Sequence, residues 1–129
     1  MKKISYLSML VVISVLALAG CRSGLVMNIE DAIIPVSEKH SEENIKKAIV
    51  RAGGTLGWQI KDASPGHLTG TLILREHVAV IDIAYDKNKY SIKYKDSTNL
   101  NYDGESIHSN YNGWIQRLNQ NIQVQLSHL

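Results

Sequence analysis

Four successive segments in the middle of the chain place apolar residues at alternate positions, and this pattern constrains the fold more than any other feature. The connections between the segments are short and polar, as in β-hairpins. The positions that share one face of the predicted strands are Leu56, Trp58 and Ile60; Leu68, Gly70, Leu72 and Leu74; Ala79, Ile81, Ile83 and Tyr85; and Tyr90, Ile92 and Tyr94. The pattern predicts a four-stranded antiparallel meander with one apolar face.

The turn lengths also predict the register of the strands. A two-residue turn after Leu74 places Leu72 opposite Ala79, and the next turn places Ile83 opposite Ile92. Because cross-strand partners lie on the same face of a sheet, the apolar residues of three strands then agree on one side. Trp58 is expected beside Gly70, where the missing side chain leaves room for the indole.

The opposite face of this sheet is predicted to be polar and to meet water, with one exception. Ile73, Val78 and Val80 form a small apolar patch on it, because Ile73 is expected to pair with Val78. Either the apolar segment at 33–36 covers the patch, which is the interpretation we favour, or a partner docks there.

Amphipathic helices are predicted on either side of the strands. Ser41 is a suitable N-cap, apolar residues recur at i, i+3, i+4 and i+7 from Ile45, and Gly53-Gly54 is expected to end the first helix. The second begins near Asn110 and carries its own apolar stripe: Tyr111, Trp114, Ile115, Leu118, Ile122 and Leu126. The predicted fold of residues 41–129 is therefore a single α+β domain, α-β-β-β-β-α in two layers, with both helices on the apolar sheet face.

The start of the chain has the pattern of an export signal. Lys2 and Lys3 precede an apolar stretch over residues 7–18, and small residues follow it. Residues 1–20 are thus predicted to be a signal peptide. A short membrane helix is one alternative. If the cysteine at position 21 is incidental, an ordinary signal peptide without lipid attachment is the other.

The sequence Leu18-Ala19-Gly20-Cys21 resembles the lipobox of bacterial lipoproteins. This resemblance implies cleavage before Cys21, lipid attachment at the Cys21 thiol and acylation of the new amine. The membrane is then a partner through lipidated Cys21. In such lipoproteins an aspartate after the cysteine signals retention at the inner membrane, so Arg22 implies the periplasmic face of the outer membrane. Residues 21–40 show no sustained pattern and are predicted to be a lipidated N-terminus and tether, whose nineteen residues after Cys21 can reach about 60 Å. Within them Ile33-Ile34-Pro35-Val36 is apolar enough to form an extended edge segment, which Pro35 permits.

The later part of the chain is similar to a group of small proteobacterial lipoproteins. The resemblance covers about residues 41–122 and rests on the run over 90–100, on Ile107-His108, and on Asn110-Tyr111-Asn112 with Trp114 and Leu118. It implies an envelope location and supplies no catalytic residues.

Charge and cysteine content exclude several classes of function. The 14 basic side chains become 12 once Lys2 and Lys3 leave with the signal peptide, and they then equal the 12 acidic ones. A neutral chain lacks the basic surface expected of a nucleic-acid-binding domain. With Cys21 as its one cysteine, the chain forms neither an internal disulfide framework nor a multi-cysteine zinc site.

The polar segment over residues 96–110 is the main candidate for a binding site, because long loops in compact domains are often functional. Asn99, Asn101 and Asp103 have the opening spacing of an EF-hand, but Asn110 stands where that loop needs a bidentate glutamate. We therefore predict turns built by Asx side chains and no metal or other cofactor. The residues expected to meet a ligand or partner are Asp96, Asn99, Asn101, Tyr102, Asp103 and His108.

Two hypotheses about function follow. In the first, the protein is a lipid-anchored, non-enzymatic accessory or binding module that faces the periplasm and recognises an envelope protein or a glycan. In the second, it is a small hydrolase or metal-dependent enzyme that uses the 96–110 loop, with His108 and Asp103 at its centre. No catalytic motif supports the second hypothesis, and the scattered histidines lack metal-binding spacing.

Overall fold

The computed structural model describes residues 23–35, 37–38 and 40–129. Within these ranges the chain has an α+β fold with two helices, a five-stranded antiparallel sheet and a two-stranded antiparallel sheet. The elements in chain order are β1 (Ser23–Leu25), β2 (Ile29–Ile33), α1 (Glu42–Thr55), β3 (Gln59–Ser64), β4 (His67–Leu74), β5 (His77–Tyr85), β6 (Lys89–Thr98), β7 (Ser106–His108) and α2 (Ser109–Ser127).

The predicted meander is present as β3 to β6, but the sheet is larger than predicted. Its strand order is β2-β6-β5-β4-β3, so β2 adds a fifth strand along the edge of β6. The pairing shifts between Ile29 and Ala32, and Asp31 has a φ of 51°. This irregularity brings Ile29 and Ala32, three residues apart, into half-buried positions, so the strand lacks the period-two pattern that identifies a strand in a sequence.

The tether predicted over residues 21–40 is largely wrong for its described part. Besides β2, the short strand β1 pairs with β7, with Gly24 opposite Ile107. Within the described residues, elements of the fold therefore occur from Ser23 onwards, and the predicted domain boundary at residue 41 lies too late in the chain.

The predicted register of the central strands is confirmed. Leu72 pairs with Ala79, and Ile83 pairs with Ile92. A bulge between Val80 and Ile81 follows these pairs and lets β6 continue to Thr98, four residues beyond its predicted end at Tyr94.

The core lies between the apolar face of the larger sheet and the two helices, whose buried stripes belong to the same cluster of side chains. Ser41 caps α1 as predicted, since its Oγ accepts a hydrogen bond of 3.1 Å from the Asn44 amide. Gly53-Gly54 does not end the helix, which continues to Thr55. Gly53 is instead a position of close approach, because a Cβ atom there would overlap Ile60.

The apolar patch on the outer sheet face is not covered by the described part of the 33–36 segment. Ile34 enters the core with 1% of its surface exposed, and Ile33 lies at the far end of β2, opposite Lys89. Val36 lies outside the described residues. Ile73 is consequently 62% exposed, beside its partner Val78.

Candidate functional site

The predicted 96–110 loop is shorter in the structure, because secondary structure enters it from both sides. Strand β6 occupies its beginning, and β7 and α2 occupy its end, which leaves a connection over residues 99–105. Asn99 and Asn101 have positive φ angles of 59° and 51°, and Gly104 has a φ of 103°. Asparagine and glycine tolerate this left-handed conformation better than other residues, which explains their use here.

One end of the connection is held by contacts with the β4–β5 turn. The side-chain Nδ2 atom of Asn99 donates to the Glu76 carbonyl at 2.9 Å, and the His77 Nδ1 atom donates to the backbone carbonyl of Asn99 at 2.8 Å. The two hydrogen bonds fix Asn99 against the hairpin. The Asn99 side chain therefore takes part in holding the loop in place.

Asp103 fixes the other end of the connection as an Asx turn. Its Oδ1 atom accepts hydrogen bonds of 2.8 Å from the Ser106 amide and 2.9 Å from the Glu105 amide. These backbone donors stabilise the carboxylate and lower the pKa of Asp103. The predicted Asx turn is confirmed at this residue.

Tyr102 is the exposed member of a group of aromatic rings. Its ring centroid lies 4.0 Å from that of Tyr94 with the planes 31° apart, and its hydroxyl donates to the Gly104 carbonyl at 3.2 Å. Tyr94 in turn meets Tyr111 edge to face at 5.7 Å. Because Tyr102 keeps 39% of its surface exposed, the group presents part of an aromatic side chain to solvent.

The buried end of this group carries an unusual phenol. The Tyr111 hydroxyl is buried and has no hydrogen-bond partner among the described residues. Burial raises the pKa of Tyr111 well above its ordinary value of 10.0. The phenol is thus a neutral group of the core and takes no part in acid–base chemistry near neutral pH.

An open cavity of about 340 Å³ lies beside Tyr102. Its lining contains four of the six residues predicted to meet a ligand, namely Asp96, Asn99, Asn101 and Tyr102. Asp103 and His108 lie outside the lining. The structure therefore brings amide and carboxylate groups together with an aromatic ring, and separates them from the two residues on which the enzyme hypothesis depends.

His108 has a structural role at the start of α2. Its Nδ1 atom accepts a hydrogen bond of 3.2 Å from the Asn110 amide, so His108 is the N-cap that was predicted at Asn110. Among the hydrogen bonds of the described residues, none joins the His108 ring to a serine or carboxylate side chain. The same residues contain no group of three His, Cys, Asp or Glu side chains that could hold a metal ion.

His77 and Tyr94 were not predicted to belong to this region, and Ser97 lies in the predicted 96–110 segment but was not among the six residues expected to meet a ligand. His77 is bonded to the Asn99 carbonyl, and the Tyr94 hydroxyl lies 2.7 Å from Ser97 Oγ within the cavity lining. An extension of the β5–β6 pairing to the end of β6 places Val78 opposite Thr98. The next residues on the two strands, His77 and Asn99, then lie side by side, and this would have assigned His77 to the region. The bulge at residue 95 breaks the alternation that would have indicated this extension.

Cys21, the predicted site of lipid attachment, lies outside the described residues. Neither of the two helices in the described ranges is long and apolar enough to cross a membrane. Comparison with protein-family models and with curated proteins found no match to this chain.

Proposed function

We propose that this protein is a lipid-anchored lipoprotein of the bacterial envelope, and that its domain is a non-enzymatic module that binds a glycan in the periplasm. The Leu18-Ala19-Gly20-Cys21 sequence supports the anchor. The observation that carries the proposal is the position of the first strand. Cleavage before Cys21 would leave every described strand and helix in the mature chain, since β1 begins at Ser23.

Metabolic labelling with palmitate tests the anchor. The wild-type protein should incorporate the label, whereas Cys21→Ser should not, because a hydroxyl does not replace the thiol as acceptor. A Cys21→Ser protein that still carries palmitate would contradict the proposal. Arg22→Asp is the matched test of location, since it should move the labelled protein from the outer to the inner membrane.

A binding role accounts for the loop better than a catalytic one. Asp103 accepts two backbone amides, and His108 caps α2, so the best candidates for acid–base work hold the loop in place. These contacts pre-order the cavity beside Tyr102, which reduces the entropy lost when a ligand binds. No observation favours the hydrolase or metal-enzyme alternative.

The side chains around the cavity favour a glycan over a protein as ligand. The exposed Tyr102 ring can pack against the C–H face of a sugar, while the Asp96 carboxylate and the Asn101 amide can hydrogen-bond its hydroxyls. A cavity of about 340 Å³ suits one or two sugar rings and is small for a protein interface.

Co-sedimentation with purified peptidoglycan, together with binding to its soluble glycan fragments, tests this role. Tyr102→Ala removes the ring and should weaken binding about tenfold, which corresponds to about 1.4 kcal/mol. Tyr102→Phe is the control, because it keeps the ring and loses only the hydroxyl bond to Gly104. Equal binding by Tyr102→Ala and wild type, or capture of an envelope protein at the cavity without any glycan binding, would refute the glycan assignment.

A further inference from the structure

The distance between Cys21 and the fold is very short. Only Arg22 separates Cys21 from Ser23, the first residue of β1. Two residues span at most about 7 Å when fully extended. A lipid group on Cys21 would therefore hold the start of β1 within about that backbone distance of the bilayer surface.

Strand β1 is attached firmly enough to transmit this constraint to the domain. It pairs with β7, where Gly24 lies opposite the fully buried Ile107. The Asn112 side chain of α2 donates to the Leu25 carbonyl and accepts from the Met27 amide, both at 2.9 Å. Releasing β1 would break all of these contacts, so the folded domain has no tether that would let it stand clear of the membrane.

Ser23 lies at one particular end of the molecule, which we call the proximal end. Ser23 is paired with His108, whose ring centroid lies 6.3 Å from that of His77. His77 is the first residue of β5, directly after the two-residue turn of Arg75 and Glu76. The proximal end is therefore the end of the sheet at the β4–β5 turn; the β3–β4 and β5–β6 turns form the distal end.

Exposed apolar side chains lie at the proximal end beside a cationic one. Ile73 and Leu74, the last two residues of β4, are 62% and 47% exposed, and the exposed Arg75 and Glu76 follow them in the turn. Leu56, 37% exposed at the end of α1, lies at the same end, since its neighbour Gly57 adjoins the Leu72 side chain. Apolar groups with a neighbouring cation suit the boundary between acyl chains and anionic headgroups.

We propose that the proximal end lies directly on the lipid bilayer, with Ile73 and Leu74 inserted at the headgroup level and Arg75 against lipid phosphates. The inference rests on the proposed lipidation of Cys21, because that anchor determines which end meets the membrane. It assigns lipid as the occupant of the apolar patch at Ile73 and Val78.

Fluorescence quenching by lipid-bound spin labels tests this orientation. The lipidated full chain is placed in vesicles of phosphatidylethanolamine and phosphatidylglycerol that contain a doxyl-labelled phospholipid. Since acylation blocks the one native cysteine, an introduced cysteine is the only free thiol for a fluorophore. Glu76→Cys reports on the proximal turn and Lys87→Cys on the distal turn, about 30 Å away along the nine residues of β5.

We expect several-fold stronger quenching at position 76 than at position 87. Replacing both Ile73 and Leu74 by serine should reduce the quenching at 76, whereas Ile33→Ser should not, because Ile33 is 78% exposed at the distal end.

Palmitate incorporation measured on the same samples separates the two proposals. If the protein carries palmitate but positions 76 and 87 are quenched equally, the orientation is wrong and the anchor stands. If no palmitate is incorporated, the anchor is refuted and the orientation falls with it.

Discussion

Gly53 and Gly54 are adjacent in α1, but only Gly53 is packed against the sheet. An ideal Cβ on Gly53 would overlap Ile60 Cδ1 and lie 2.9 Å from Ile60 Cγ1 and 3.3 Å from Trp58 Cβ. Apart from its chain neighbours and the backbone of its own helix, the same atom on Gly54 would have no heavy atom within 4 Å. Substitution by alanine therefore makes the same chemical change at both positions and adds a steric conflict at only one.

The magnitude follows from these two contributions. Alanine in place of glycine favours a helix by about 0.5–1 kcal/mol, so Gly54→Ala should raise the free energy of unfolding by up to about that amount. At Gly53 this gain in helix propensity is opposed by overpacking of the core, which costs about 1–3 kcal/mol. The two variants should thus differ by about 1–3 kcal/mol, with Gly53→Ala the less stable. For a domain of this size, each kcal/mol shifts Tm by about 4–8 °C.

Equilibrium urea unfolding, followed by tryptophan fluorescence, measures this difference. Equal stability of the two variants, or greater stability of Gly53→Ala, would refute the packing argument. Ile60→Val provides a further check because it removes the Cδ1 atom that the new Cβ would overlap. The double variant Gly53→Ala with Ile60→Val should be less destabilised than the sum of the two single changes.

Three further predictions concern the polar groups. Tyr111→Phe should leave the free energy of unfolding nearly unchanged in urea titrations at neutral pH, because the lost hydroxyl has no partner among the described residues. Tyr90→Phe should lower it by about 1 kcal/mol, because the Tyr90 hydroxyl donates to Asn119 Oδ1 in α2. Above about pH 10 the unfolded chain loses the Tyr111 proton and the folded chain keeps it, so wild-type stability should fall more steeply with rising pH than that of Tyr111→Phe. Removing the α2 cap with His108→Ala should lower stability by about 1 kcal/mol, similar to Ser41→Ala at α1, and equal stability to wild type would contradict the capping role. The folded state lowers the pKa of Asp103, so its stabilising effect is lost as pH falls through the acidic range; Asp103→Ala should flatten the acid limb of the stability profile.

The part of the fold that was predictable from the sequence is the part in which local pattern and long-range pairing agree. Leu72 with Ala79 and Ile83 with Ile92 were found because each strand keeps a period of two and the turns are short. Gly70 was expected to make room for an indole; a Cβ there would be in ordinary contact with Trp58 Cε3 at 3.5 Å, and the tighter approach is to Ile81 Cγ1 at 2.9 Å. Strand periodicity and turn length are enough to predict pairs of this kind.

The strands that were missed depend on partners far away in the chain. Strand β1 has only three residues, and its pairing with β7 joins positions more than eighty residues apart. In strand β2 the irregularity at Asp31 interrupts the alternation of apolar and polar residues. Neither segment has a period that local analysis can detect, because tertiary contacts and not local propensity determine its conformation.

The candidate site shows the same division. The Asx turn at Asp103 is a local structure and was predictable, since the side chain bonds amides two and three residues away. The stacking of Tyr102 on Tyr94 and the bond from His77 to Asn99 join segments that meet only after the sheet has formed. Sequence spacing therefore identified the loop without showing which of its groups face a ligand.

The position of Tyr102 links the proposed glycan site with the proposed orientation on the bilayer. Tyr94, on which it stacks, lies four residues before the end of β6, which corresponds to about 13 Å from the proximal end. Asn99 of the cavity lining donates to the Glu76 carbonyl in the proximal turn, so with that end on the bilayer the cavity opens at the side of the domain, next to the headgroups. The groups proposed to contact a glycan, Tyr102, Asp96 and Asn101, belong to the protein and are present with or without the bilayer. Cys21→Ser protein in solution should therefore bind glycan fragments with the same affinity as the lipidated form in vesicles, and a large loss of affinity would mean that the cavity is not the glycan site.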